Sequence, residues 1–365
     1  RDAEEAVRSY EEANRLRAAD DEIFLQAMLL LASARNQRMY AARTIDDLGA
    51  IVRPLEQIVE FDIHGAYPHN LLSIAHRLAA EVYTGSAGAR DADKLAAEHF
   101  AQAIAWAQAG QKADPDDALP YFAEMMALQS QGNLAAALAV LNRAEPVAAQ
   151  RDVRLHELLH YRWRLHWWLG NTEAALADLE RYAEFAPQRT AYVVDVFRAL
   201  VLADAGRSAE AVALAQAIAD PGQTGDGAEA LRVIWSVTTL RLIGANDSAV
   251  EALADLPDDL TLTPGEIVAQ SPEWIDQLYR MVRGEASVEA LRALAETADQ
   301  PWRLVGEAEF HHAAAGLAAG ERKPAGEGFE RAWRAYDSQS RYTYFGELIS
   351  RRMALDPAWN PAIEP

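Results

Sequence analysis

The residues best placed to do chemistry are two histidines and a glutamate in the run HELLH, at His156, Glu157 and His160. Histidines four positions apart lie on one face of a helix and can ligate the same zinc ion. The metal lowers the pKa of a bound water, and a glutamate beside it can take the proton from that water. The run therefore indicates one hypothesis about function, which is zinc-dependent hydrolysis.

A third histidine, His166, extends the run to HELLHYRWRLH, which resembles the metzincin peptidase pattern HExxHxxGxxH. In that family the glycine turns the chain so that the third histidine reaches the metal, and here Trp163 stands at that position. In an unbroken helix His166 lies about 15 Å from His156 along the axis and about 80° around it, on the side opposite His160. No helix breaker precedes Gly170, so the helix is expected to continue and His166 cannot reach the same metal. We therefore favour the interpretation that these histidines form a polar stripe on a helix. A zinc metallopeptidase with His156 and His160 as ligands remains the alternative hypothesis.

Three other segments carry residue types that bind metals or anions. The predicted loop 64–69 begins and ends with histidine and follows Asp62, but loop histidines are usually solvated. His311 and His312 are neighbours on a predicted helix, so their side chains point in different directions and chelate poorly. The glycine-rich run 221–230 precedes a helix, whose N-terminus could hold a phosphate. It lacks the lysine of a P-loop, so an inter-repeat linker is favoured.

The composition excludes several classes of function. The 365 residues include no cysteine, which excludes disulfides, iron–sulfur clusters and thiol catalysis. The formal net charge is -21, with 55 acidic and 34 basic residues. This charge disfavours nucleic acid and anionic membranes as partners, because both attract positive surfaces. No apolar run approaches the ~18 residues of a membrane-spanning helix, so we expect no membrane insertion. We also expect no cofactor.

Glycines that end apolar helical stretches recur along the chain. They are Gly132, Gly170, Gly206, Gly244, Gly284 and Gly320, at intervals of 38, 36, 38, 40 and 36 residues. A glycine can take a positive φ without steric penalty, so it commonly ends one helix before the chain folds back into the next. After each glycine comes a short polar turn and then an amphipathic stretch that contains alanine. The spacing predicts an all-α chain of helix-turn-helix repeats.

The second helix of each predicted repeat carries a small residue and then a larger residue four positions later. In most copies another small residue follows three positions after the larger one. The copies are Ala137, Leu141 and Ala144; Ala175, Leu179 and Tyr182, ended by Pro187; and Ala325, Phe329 and Ala332. This pattern resembles the tetratricopeptide repeat over about residues 116–340, with repeats two to six residues longer than the 34 of that family. The resemblance implies an α-solenoid, a superhelix of helix-turn-helix repeats. A HEAT-type array is the second interpretation.

The first third of the chain is less regular. Two further triads match the second helix of a repeat, at Ala6, Tyr10 and Ala13 and at Ala96, Phe100 and Ala103. Repeat arrays need atypical ends that shield their last apolar face. We therefore predict an N-terminal helical region over 1–115, made of degenerate repeats or of a cap continuous with the array. The tetratricopeptide-like repeats then occupy 116–345, and a helix end and tail occupy 346–365.

In tetratricopeptide proteins the first helix of each repeat lines a concave groove that binds a peptide or another protein. The same register, counted from the turn glycines, places twelve residues on the groove. They are Phe122, Met126, Gln129, Glu157, His160, Arg164, Trp167, Trp168, Thr238, Arg241, Trp274 and Met281. Tryptophan and arginine often anchor interfaces, so the resemblance implies a non-enzymatic scaffold or adaptor. Trp163 is expected to pack inside, and adjacent Trp167 and Trp168 are expected to face opposite ways.

A third hypothesis is self-association through Trp333, Trp359 or the proline-rich tail 356–365, which would make the protein a homo-oligomer. The chain begins at Arg1 and has no cysteine, which favours an exported, periplasmic bacterial protein over a cytoplasmic one. A fold alone does not identify the partner that it binds.

Overall fold

A computed structural model describes residues 21–42, 44–60, 65–85, 91–185, 191–218, 229–254, 272–296 and 301–337. Within these ranges every regular element is an α-helix, which confirms the predicted all-α fold. The helices are α1 (Asp21–Ala42), α2 (Leu48–Glu60), α3 (Tyr67–Gly85), α4 (Ala92–Ala113), α5 (Leu119–Ser130), α6 (Leu134–Ala148), α7 (Asp152–Trp168), α8 (Thr172–Ala183), α9 (Ala191–Asp204), α10 (Ser208–Ile218), α11 (Glu229–Leu242), α12 (Asn246–Ala254), α13 (Pro272–Arg283), α14 (Val288–Ala295), α15 (Pro301–Ala318) and α16 (Arg322–Asp337). None of these helices is long and apolar enough to cross a membrane.

The chain forms two compact units, Arg1–Gly170 and Asn171–Pro365. In each unit consecutive helices pack as pairs, for example α3 with α4 and α5 with α6, or α9 with α10 and α15 with α16. This consecutive pairing is the arrangement of a helical-repeat solenoid. The division falls after α7, and the boundary at residue 115, between the N-terminal helical region and the array continuous with it, stays a prediction. Because α4 packs on both α3 and α5, the first unit continues past that position without a break.

Glycines in the left-handed conformation follow six of the helices. They are the six repeat glycines named above, with φ between 75° and 86°. After α11, the Gly244 N–H donates to Arg241 O at 3.1 Å and the Ala245 N–H donates to Leu240 O at 2.8 Å. These bonds satisfy carbonyls that the end of a helix leaves open. A Cβ at any of the six would meet no atom within 4 Å, so backbone conformation rather than space selects glycine.

The small and large residues of the second-helix pattern lie inside the helix packing. Every member of the triads in α4, α6 and α16 is buried, and so are Ala175 and Leu179 of α8, while Tyr182 is half-buried. The closest approach is at Gly328 of α16, where an added Cβ would stand 2.8 Å from the Cβ of Ala313 in α15. The repeat pattern therefore predicted the buried face of these helices correctly.

A buried carboxylate joins three helices of the first unit. Glu124 of α5 is 3% exposed and accepts hydrogen bonds from Gln108 and Gln111 of α4, both at 2.7 Å. Arg143 of α6 donates from Nη2 to the same carboxylate at 2.9 Å. A buried charge is tolerated only where such partners replace water. Glu124 therefore fixes how α4, α5 and α6 stack on one another.

The second unit contains a similar contact around Glu309 of α15. Arg292 of α14 donates to one carboxylate oxygen, and Arg331 of α16 donates from Nε to the other at 3.0 Å. Glu309 is itself buried, whereas both arginines are partly exposed. The two cations neutralise the buried charge and tie α15 to the helices before and after it.

Helix α11 is the centre of the second unit. Every residue from 231 to 240 is buried, and α11 contacts α9, α10, α12, α13 and α15. In an open solenoid the first helix of a repeat keeps one face exposed to the groove. Here α13 and α15 cover that face, so the expected groove is filled at α11.

Some expectations fall outside the described residues. They concern the triad at Ala6, Tyr10 and Ala13, the glycine-rich run before α11, Trp359 and the tail 356–365. Trp333, the remaining residue of the self-association hypothesis, is half-buried on α16.

Candidate functional site

The HELLH run lies in the middle of α7, which continues without interruption to Trp168. The turn comes only at Gly170, whose φ is 77°. His156 and His160 therefore share one face of an unbroken helix, as the spacing predicted. His166 stays on the same helix and is not turned toward them, because Trp163 stands where the metzincin pattern has its glycine.

His160 is held by an arginine one turn further along α7. The Nη1 atom of Arg164 lies 3.2 Å from His160 Nε2. A guanidinium can only donate, so Nε2 is the acceptor and the ring proton is on Nδ1. Burial, followed by the charges of Arg164 and His156, lowers the pKa of His160 well below its usual value. A metal ion at Nε2 would have to displace Arg164 from the same lone pair.

The glutamate of the run has a partner of its own. Glu157 forms an ion pair with Arg154, one turn earlier, at 2.8 Å. A catalytic zinc site takes three protein ligands, and the described part of the chain contains no group of three or more His, Cys, Asp or Glu that could hold a metal. Among the described residues, the side chains around HELLH do not make up a three-ligand set, and the peptidase hypothesis stays a prediction.

Aromatic rings connect α7 to α5 inside the first unit. Tyr161 packs on Phe122, with ring centroids 6.2 Å apart, and the guanidinium of Arg164 lies 4.9 Å above the Tyr161 ring. On another face of α7, Trp163 and Trp167 stack at 6.2 Å and are both buried. The burial of Trp163 confirms its expected packing role. Neighbouring Trp168 is half-buried, so the two adjacent tryptophans differ as expected.

The twelve predicted groove residues divide by burial into two groups. The buried members are Phe122, Arg164, Trp167, Thr238, Trp274 and Met281. The half-buried members are Met126, Gln129, Glu157, His160, Trp168 and Arg241. A buried side chain presents no surface to a partner, so the first group stabilises the helix packing instead. Five of the half-buried residues lie on α5 and α7, and we refer to Met126, Gln129, Glu157, His160 and Trp168 as the α7 surface.

The predicted groove residues of the second unit are used mainly for packing. Trp274 of α13 donates from Nε1 to Glu307 Oε2 at 3.0 Å, and Thr238 of α11 bonds His311 of α15 at 2.7 Å. These contacts arise because α11, α13 and α15 meet directly. Arg241 is the one predicted groove residue of this unit that is half-buried.

Sequence reasoning missed a histidine pair in the first unit. His76 of α3 and His99 of α4 face each other with their Nδ1 atoms 2.9 Å apart, and the Tyr83 ring stacks on His99 at 5.5 Å. Burial, and then the neighbouring His99, lower the pKa of His76 to about 4. Burial also lowers the pKa of His99. The two histidines are 23 positions apart, so no local pattern could have paired them.

The other histidine candidates are explained by local contacts. His69, at the end of the predicted loop 64–69, is buried in α3, and its Nδ1 donates to Gly65 O at 3.1 Å. His311 is buried and His312 is exposed, which confirms that the two point in different directions. None of these side chains contributes to a cluster with the HELLH run.

No protein-family model matches this chain, and no curated protein is similar to it at a significant level. Membership of the tetratricopeptide family therefore remains a prediction, with which the paired helices and the glycine turns agree. The function has to be argued from the side chains.

Proposed function

We propose that this protein is a non-enzymatic scaffold that binds a peptide or another protein on the α7 surface. The observation that carries the proposal is the set of five half-buried side chains on α5 and α7, which combines a tryptophan and a methionine with polar groups. Interfaces are enriched in such aromatic and methionine side chains, flanked by polar ones.

The packing beneath the α7 surface supports this proposal. Phe122 of α5 is buried and packs on Tyr161 of α7, and Arg164 is 2% exposed and bonded to His160. The exposed parts of the surface therefore stand on side chains that are already fixed. A fixed surface loses little conformational entropy when a partner binds, which favours affinity.

The state of the HELLH residues also favours binding over catalysis. The Nε2 atom of His160 accepts from Arg164, and Glu157 is paired with Arg154. A general base and a zinc ligand need those same atoms. Both contacts instead hold the side chains in one orientation on the surface, where a partner can recognise them.

Selection from a library of displayed peptides, followed by measured affinities, tests the proposal. Trp168→Ala and Met126→Ala should each weaken the selected peptides about tenfold or more, or about 1.4 kcal/mol. Val250→Ala is the matched control, because Val250 is an aliphatic side chain of the other unit that is 65% exposed. Peptides that bind the two α7-surface variants as tightly as the wild type would refute the proposal.

A further inference from the structure

The two histidines between α3 and α4 are joined end to end through one nitrogen of each ring. The Nδ1 atoms of His76 and His99 are 2.9 Å apart, and the ring centroids are 5.2 Å apart. The centroid separation is the nitrogen–nitrogen distance plus one ring radius at each end, so the two nitrogens point directly at each other. A tetrahedral metal ion bound by both rings would need them to point at a common position beside them. The geometry is therefore that of an N–H···N hydrogen bond.

This hydrogen bond has room for a single proton between the two nitrogens. A neutral imidazole carries its proton on one nitrogen and a lone pair on the other, so His76 and His99 must be opposite tautomers. One added proton binds at the Nε2 atom of the donor ring, outside the hydrogen bond, and leaves the bond intact. A second added proton has to occupy the accepting Nδ1 atom. Two N–H groups and two like charges then face each other, and the contact becomes repulsive.

The surroundings of the two rings place the first added proton on His99. His99 is half-buried, whereas His76 is only 9% exposed. The Tyr83 ring stacks on His99 with an interplanar angle of 7°, and the face of an aromatic ring favours a cation. Burial lowers the pKa of His99, and the charge of Glu98 offsets part of this effect. In the singly protonated pair His99 is therefore the donor and His76 is the acceptor.

The other charged groups of these two helices are paired with each other. Arg77, next to His76 in the chain, forms an ion pair with Glu81 one turn later. On α4, exposed Lys94 pairs with Glu98 at 3.8 Å. Among the described residues, no titratable group of α1, α2 or α5 contributes to the pKa of either ring. The response of the pair to acid is therefore governed by burial and by the repulsion between its own two rings.

We propose that His76 and His99 form a pH-sensitive switch that holds α3 and α4 together until both rings are protonated. Tyr83, which stacks on His99, also packs against an apolar cluster between the same two helices. The buried members of that cluster are Ala80, Ala96 and Phe100. Repulsion between two imidazolium rings pushes the helices apart beside this cluster, so acid exposes apolar side chains that are buried at neutral pH. The switch does not depend on binding at the α7 surface.

Nuclear magnetic resonance of the full chain with ¹⁵N-labelled histidine tests the shared proton at pH 7. We expect opposite tautomers for His76 and His99, because only one of the two Nδ1 atoms can carry a proton in the bond. We also expect a ¹⁵N–¹⁵N coupling between the two Nδ1 atoms across the hydrogen bond. The same tautomer in both rings would overturn the proposal.

A substitution of His99 tests the repulsion between the rings. His99→Asn places an amide opposite His76, and the amide oxygen can accept from a protonated His76 Nδ1. Between pH 8 and 5.5 the wild-type His76 should stay neutral, because its pKa is lowered to about 4. In His99→Asn the pKa of His76 should rise by at least about one pH unit. His312→Asn, at an exposed position of the other unit, is the matched control and should leave His76 unchanged.

Hydrogen exchange at pH 4, measured by mass spectrometry at micromolar concentration, tests the separation of the helices. The wild type should exchange at least about twofold faster than His99→Asn in α3 and α4, and equally fast in α6. Equal exchange of α3 and α4 in the two proteins, or an unchanged pKa of His76 in His99→Asn, would overturn the proposal. If His99→Asn loses helicity at pH 7, the tautomers of the wild-type pair decide.

Discussion

The burial of His311 makes the stability of the second unit sensitive to acid. Burial, and then the charge of Arg241, lower the pKa of His311 to about 3, whereas a histidine in an unfolded chain has a pKa of about 6.5. Below pH 6.5 the unfolded chain takes up a proton that the folded protein excludes. Stability is therefore complete above about pH 6.5 and is lost progressively as the pH falls toward 3.

The size of this effect follows from the two pKa values. Each pH unit between them costs about 1.4 kcal/mol, so lowering the pH from 7 to 5.5 should remove about 1.3 kcal/mol of unfolding free energy through His311 alone. The pH of 5.5 stays above the isoelectric point near 4.8, where a vanishing net charge promotes association.

Urea unfolding followed by circular dichroism at both pH values measures the effect. His311→Asn retains a group that can bond Thr238 but does not titrate, so its loss of stability between pH 7 and 5.5 should be smaller by about 1.3 kcal/mol. His312→Asn, at the exposed neighbouring position, should follow the wild type. Equal pH dependence in the wild type and His311→Asn would refute the reasoning.

Three further substitutions test the packing by urea unfolding. Gly244→Ala should lower the unfolding free energy by about 1–2 kcal/mol, because alanine is strained at the positive φ of this residue. Gly49→Ala, in open space on α2, is the control and should not lower the unfolding free energy. Equal effects of the two substitutions would contradict the turn assignment. Gly328→Ala should cost about 1–3 kcal/mol, because its Cβ would meet Ala313 at 2.8 Å, and a neutral result would mean that α15 and α16 separate easily. Glu309→Ala should cost about 1–2 kcal/mol of unfolding free energy, because water can reach the two partly exposed arginines and replace part of the lost pairing. A loss below about 0.5 kcal/mol would contradict that role.

The repeat unit could be predicted from the sequence because its determinants are local. A glycine that must adopt a positive φ, such as Gly206, is required at its position whatever the rest of the chain does. The alternation of Ala325, Phe329 and Ala332 likewise follows from one helix face meeting its neighbour. Both signals extend over a few residues, so the period and the buried face of each hairpin could be found without any knowledge of tertiary contacts.

The candidate site was less predictable because it depends on contacts between distant helices. The groove register assumed that first helices keep one face open, but α15 packs on α11 and brings His311 to Thr238, 73 positions away. The HELLH run showed a similar limit. Its spacing correctly placed His156 and His160 on one face, yet Arg164, which occupies Nε2 of His160, is not part of the motif. A motif gives the positions of possible ligands and not the partners that those atoms already have.

The zinc content of protein purified without added metal or chelator tests the central claim most directly, with His160→Ala measured beside the wild type. A scaffold that uses His160 to bind a partner predicts no stoichiometric zinc in either protein. About one zinc per chain in the wild type, lost in His160→Ala at unchanged helicity, would contradict the scaffold and identify HELLH as a metal site.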